Sequence, residues 1–172
     1  ILRCLVGSEM CIRDSIGRVR DIRSFELLVE AVKTIPAFER PKLRVAGDGT
    51  AASKVRTLLM SEVEAGTIEA EVSGAFSQSE LPELLQSVDV MYAMYSPQRG
   101  NVLQGALPVK VFDAASGGVP SVVNAGCLMA DVVVSENIGA HAPWGDAESV
   151  GQALRSLRDT VAELAATGER EH

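Results

Sequence analysis

The densest run of potential chemistry lies between residues 101 and 120. Asn101 to Ala106 reads as a polar, glycine-bearing loop, and Pro108 follows at a position that suits the first turn of a helix from Val109 to Ala115. A flexible loop leading into a helix N-terminus presents unpaired N–H groups at the positive end of the helix dipole, an arrangement that favours phosphate. Lys110 falls in that first turn, where its charge opposes the dipole unless an anion is bound. Asp113, three residues later, shares the helix face and offers acceptors for the vicinal hydroxyls of a ribose. The plain alternative is an i,i+3 ion pair between the two on a surface helix.

Two further clusters stand earlier in the chain. Gly17-Arg18-Val19-Arg20-Asp21-Ile22-Arg23 follows a short apolar run. Its glycine permits close backbone approach, and guanidinium groups grip phosphate in bidentate fashion; a solvated basic turn is the competing reading. Gly47-Asp48-Gly49 is a tight-turn signal, weak alone because Asp-Gly is common in turns. Neither a full Gly-x-Gly-x-x-Gly nor a Gly-x-x-x-x-Gly-Lys-Ser/Thr run occurs, which argues against nicotinamide and P-loop readings. Cys127 has no His near it in sequence and reads as a small core or loop residue rather than a nucleophile. His141 reads as a packing or surface residue.

The elements that must position these residues alternate. Short apolar runs at 16–19, 42–46, 67–72, 88–92 and 119–123 predict strands, with an Ala-rich strand around His141. Between them, helical spacing predicts helices over 24–35, 51–65, after the capping-box run Ser77-Gln78-Ser79-Glu80, over 109–115, near 128–134, and from Asp146 or Ser149 onward. This β-α alternation predicts one α/β domain with a doubly wound parallel sheet, whose ligands bind beyond the carboxyl ends of the strands. No apolar run approaches the roughly 18 residues needed to span a bilayer. A net charge of −7 argues against a broad nucleic-acid or anionic-membrane surface but leaves room for a local anion site.

Five segments, in order and at matching spacing, resemble the C-terminal, donor-binding domain of GT-B glycosyltransferases of family 4 (group 1). They are IGRVRDIRSFELLVEAV, LRVAGDG, VSGAFSQSELPELLQSVDVMYAM, LPVKVFDAASGGVPSVV and IGAHAPWGDAESVGQAL. The resemblance implies a Rossmann-like half of a GT-B enzyme. It implies transfer of a sugar from a nucleotide diphospho-sugar to an acceptor hydroxyl with retention, as in polysaccharide biosynthesis. By the same resemblance Arg18, Arg23 and Lys110 contact the donor diphosphate. Gly17, Gly47 and Asp48 lie close to the nucleotide, the backbone at Gly74, Ala75 and Phe76 meets the base, and Asp113 stands where the family's ribose-binding Glu does. The earlier carboxylate of the family's Glu-x7-Glu pattern falls at Gly105. Some relatives instead carry an Asn-rich loop followed by Pro-x-Lys-x-Phe-Glu, and this sequence is similar to that branch. No metal and no cofactor is expected, and the acceptor-side catalytic residues are expected in an N-terminal domain outside this chain. The fragment alone is expected to be inactive. Competing readings are a GT-B sugar-nucleotide epimerase, which needs carboxylates and His residues not seen here, and a flavodoxin-like binding module, which wants acidic strand ends where these carry Arg and Gly.

The first fifteen residues read differently from the rest. Residues 5–15, LVGSEMCIRDS, resemble the in-frame translation of a transposon-based sequencing adapter, so residues 1–15 are expected to be foreign and residues 16–172 to be the domain. Setting the fifteen aside removes Arg3, Arg13, Glu9 and Asp14 and leaves the charge unchanged. It also removes Cys4 and Cys11, leaving Cys127 alone. A reduced, cytoplasmic setting is then the simpler expectation, peripheral to the inner membrane face in the full-length enzyme.

Overall fold

Strands covered by helices on both faces are buried along their whole length, as the segments 90–93 and 121–124 are. The computed structural model describes residues 11–102 and 104–167. In order they form β1 (Cys11–Arg18), α1 (Ile22–Thr34), β2 (Lys42–Asp48), α2 (Ala52–Glu64), β3 (Glu69–Ser73), α3 (Leu81–Gln86), β4 (Val90–Ala93), α4 (Val109–Ser116), β5 (Ser121–Asn124), α5 (Leu128–Ser135), β6 (Gly139–Ala142) and α6 (Ala147–Thr167). All strand pairs are parallel, in the order β3-β2-β1-β4-β5-β6. The fold is therefore the α/β, Rossmann-like architecture that the β-α alternation predicts.

Alternation along β4 shows the double winding. Val90 and Tyr92 enter a core with residues of α1, α2 and α6, whereas Met91 and Ala93 enter cores built with α3, α4 and α5. Every residue of β4 and β5 is buried. α6 returns across the sheet to pack on α1. Among the described residues, no helix is long and apolar enough to cross a membrane.

Element boundaries differ from the periodicity in instructive ways. Val88 belongs to the same apolar run as β4, yet its N–H donates to the Leu85 carbonyl and closes α3 instead of joining the sheet. Val119 does the same for α4, donating to Ala114, so β5 begins at Ser121. Both are buried, and burial is what periodicity detects; ladder bonding is not. β1 begins at Cys11, inside the adapter-like segment, and its register against β2 slips between Asp14 and Ile16, where that segment ends.

Two helix starts carry carboxylates whose hydrogen bonds lower them from their ordinary values. Glu80 accepts from the Ser77 N–H at 2.6 Å and from its hydroxyl at 2.8 Å, completing the capping box read from the sequence. Asp146 accepts from the Ser149 N–H at 3.0 Å and its hydroxyl at 2.7 Å. A carboxyl whose folded pKa is depressed contributes stability above its unfolded value and loses it as pH falls through the folded one. Thermal melts are therefore expected to decline below about pH 4. Combining Glu80→Gln with Asp146→Asn is expected to remove part of that decline; an unchanged acid profile in the double variant would contradict the assignment.

Candidate functional site

The strand order reverses between β1 and β4, and the crevice outside the carboxyl ends there is where open parallel sheets bind ligands. The loop after β1 leads into α1, whose N-cap Asp21 is extended and accepts the Arg23 N–H at 3.0 Å. Two buried hydrogen bonds lock this helix start to β4. The Tyr92 hydroxyl donates to the Ser24 carbonyl at 2.9 Å, and the Ser24 hydroxyl donates to the Met94 carbonyl at 2.7 Å. Buried hydroxyls need such partners, which explains polar groups in an otherwise apolar seam. Ser24→Ala leaves the Met94 carbonyl without its donor and is expected to cost about 1–3 kcal/mol in urea unfolding. A shift within error would show that the helix start is held by packing alone.

Arg23 is thereby fixed over the crevice. Its Nε and Nη2 donate to the Asp21 carboxylate at 3.3 and 3.4 Å, and its Nη1 donates to Gln98 Oε1 in the single 3₁₀ turn Pro97–Arg99 that follows β4. One guanidinium thus bridges the loops after β1 and β4. The backbone of Arg18 ends β1 opposite Asp48, and that of Gly17 lies opposite Gly47. The side chain of Arg18 lies outside what is described.

On the other side of the crevice, Pro108 is an N-cap without a side-chain cap bond, and no acidic residue occupies the first turn of α4. The free N–H groups there have no side-chain acceptor at the cap. Lys110 stands in this turn with its ammonium 5.0 Å from the centroid of the Tyr95 ring. Asp113 sits half-buried one turn further along the helix. In front of the helix lies a cavity of about 290 Å³ lined by Tyr95, Asn101, Val102, Ala106, Leu107, Pro108 and Val109. Gly105, the chain neighbour of Ala106, has φ of +88°, a conformation that disfavours a side chain at the place where the family pattern has its earlier carboxylate.

The turn after β2 forms a third wall. The Gly47 N–H donates to the Gly74 carbonyl at 3.1 Å, joining the two glycine-bearing loops. The exposed Asp48 carboxylate accepts its neighbour's N–H, that of Gly49, at 2.7 Å. Space around Gly74 is open, Ala75 is exposed, and Phe76 packs against the core beside α3 and α4. The sheet thus brings Arg23, Gly47, Asp48, Gly74, Ala75, Lys110 and Asp113 to one edge. An open groove of about 430 Å³ runs along α6 between Gln152 and Glu163, but it lies on a single helix away from the strand ends. Cys127 is buried, its thiol donating to the Asn124 carbonyl at 3.2 Å, as expected of a structural residue. His141 is exposed in β6.

Three residues at the site escaped the reading of the sequence. Gln98 and Arg99 sit in the loop after β4, and Asn124 ends β5. A basic residue in a loop beyond a strand was a visible signal for Arg99; the role of Asn124 depends on a contact across 29 residues of chain.

The profile of glycosyl transferases group 1 matches residues 15–160. No curated protein sequence matches the chain. Solved structures share the fold. The catalytic domain of cholesterol-α-glucosyltransferase from Helicobacter pylori aligns with a TM-score of 0.64 at 16% identity, over 93% of this chain and 99% of its own. HepE from Anabaena, in complex with UDP-glucose, aligns at 0.65 and 14% identity, over 94% of this chain and 44% of its own. The C-terminal domain of the group 1 protein LpcC from Francisella tularensis aligns at 0.63 and 14% identity, over 95% and 87%. This chain therefore spans less than half the length of relatives such as HepE. The profile match runs from the end of β1 into α6, through every loop that builds the crevice, and the chain belongs to the glycosyl transferases of group 1.

Proposed function

We propose that the chain is the donor-binding half of a glycosyltransferase that moves a sugar from a nucleotide diphospho-sugar to an acceptor hydroxyl with retention. The observation that carries this reading is the meeting of Arg23, Lys110 and the uncapped start of α4 at the crevice between β1 and β4. In the transfer, the bond between the sugar's anomeric carbon and the diphosphate oxygen breaks, the acceptor oxygen bonds to that carbon, and the acceptor's proton passes to the released diphosphate. The nucleoside diphosphate leaves with the electron pair. Fixed cations and helix N–H groups aimed at that leaving group stabilise its growing charge, so the reading calls for no metal and no cofactor. Arg18, which ends β1 beside this crevice, joins the diphosphate contacts. Asp113 receives the ribose hydroxyls, while Gly17, Gly47, Asp48 and the backbone of Gly74, Ala75 and Phe76 flank the nucleoside.

The acceptor and the groups that activate it belong to a second, N-terminal domain, in a cytoplasmic enzyme. Residues 1–15 are adapter-derived under this proposal and contribute no site residue. By itself the chain binds nucleotide and transfers no sugar. Calorimetric titration of the chain with UDP, GDP and ADP tests the reading, with UDP tried first because HepE holds UDP-glucose. Saturable one-to-one binding of at least one is expected; absence of binding by all three would overturn it.

A further inference from the structure

Tyr95 is the second residue beyond the end of β4, and its backbone is held on both sides. Asn124, buried at the end of β5, clamps its backbone from both sides: Oδ1 accepts the Tyr95 N–H at 2.8 Å, and Nδ2 donates to the Tyr95 carbonyl at 2.8 Å. A buried amide that satisfies both backbone groups of one residue fixes that residue's height above the sheet. The ring so placed attracts two cations. Lys110 lies 5.0 Å from its centroid and the Arg99 guanidinium 5.6 Å, both within cation–π reach. One cation arrives from the first turn of α4 and the other from the 3₁₀ turn after β4, so no helical or turn geometry forces them together. Arg99 is also the chain neighbour of Gln98, to which Arg23 is bonded.

Two positive groups drawn to one ring repel each other, and the arrangement gains most when an anion lies within reach of both. Resting on the donor reading above, we propose that Tyr95 is a positioning residue that gathers Arg99 and Lys110 into a paired cationic grip for the donor diphosphate, making Arg99 a further anion contact of the site. The π face of the ring, rather than its hydroxyl, is the part that acts.

The test uses the 172-residue chain and whichever of UDP, GDP and ADP it binds most tightly, with inorganic pyrophosphate as a second probe. Arg99→Ala is expected to weaken both probes about tenfold. It is also expected to flatten the dependence of affinity on sodium chloride, a readout that a merely structural residue leaves unmoved. Tyr95→Leu is expected to weaken binding about threefold or more, and Tyr95→Phe, which keeps the ring face, to rescue what Leu loses. Circular dichroism melts accompany each variant, and Arg99→Ala and Tyr95→Phe decide the matter if Tyr95→Leu does not fold. Binding that is lost in Lys110→Ala but keeps its strength and salt dependence in Arg99→Ala would overturn the paired grip while leaving the donor reading standing. A Tyr95→Phe variant as weak as Tyr95→Leu would overturn the role of the ring. A wild-type chain that binds none of the probes removes the donor reading and the grip with it.

Discussion

Lys110→Ala is expected to weaken nucleoside diphosphate binding by about 10- to 100-fold, the range for losing a hydrogen-bonded charge on an anion. The same substitution is expected to leave thermal stability nearly unchanged, and the combination is what marks the residue as functional. A cation in the first turn of a helix opposes the dipole by about 0.3–1 kcal/mol, which its removal relieves. Against this stands the loss of the contact with Tyr95, about 0.5–2 kcal/mol for a cation over a half-buried ring. The two terms oppose each other and are similar in size. Affinity, by contrast, has no offsetting term, because nothing else in the first turn of α4 carries charge. Titration of the variant beside a thermal melt checks both halves. A variant that melts well below the wild type and binds as tightly would show that Lys110 holds the helix and not the ligand.

Gly49→Ala is expected to be the most damaging small substitution near the site, costing about 3–5 kcal/mol. A Cβ at this position would lie 2.3 Å from the Val19 carbonyl oxygen and 2.8 Å from its nitrogen, and φ is +157°. Val19 is unable to retreat cheaply. Its N–H donates to the Asp48 carbonyl at 3.0 Å and its carbonyl accepts the Ala51 N–H at 3.1 Å. Making room for one methyl group breaks the bonds that join the turn after β2 to the end of β1. Urea unfolding is expected to show a lowered midpoint at unchanged slope, with nucleotide binding lost in parallel. An unmoved midpoint would mean that the two loops separate without penalty, and the third wall of the crevice would not be rigid.

Much of this arrangement was legible in the sequence because it depends on local patterns. The β-α alternation gave the parallel sheet, the run from Ser77 to Glu80 formed its capping box, and Pro108 stands at the N-cap of α4 as its position implied. The loops carrying Arg23, Gly47 and Lys110 emerged at one sheet edge because topology alone puts them there. Strand starts were less legible, since Val88 and Val119 are buried like strand residues yet spend their N–H groups on preceding helices. Pairings across long stretches of chain were not legible at all. Arg23 meets Gln98 across 75 residues, and Lys110 reaches the ring of Tyr95, which a different loop supplies. Spacing along one helix proposes the local partner; only the folded sheet supplies the distant one.

The central claim is that one crevice, between the loops after β1 and β4 and the start of α4, receives the donor's nucleoside diphosphate. Amide chemical shifts of the isotopically labelled chain, followed during titration with UDP, GDP and ADP, test it most directly. Perturbations are expected to gather at residues 21–23, 47–48, 74–76, 95–99 and 108–113 and to leave α6 still. Shifts confined to the groove along α6, or none at saturating nucleotide, would contradict it.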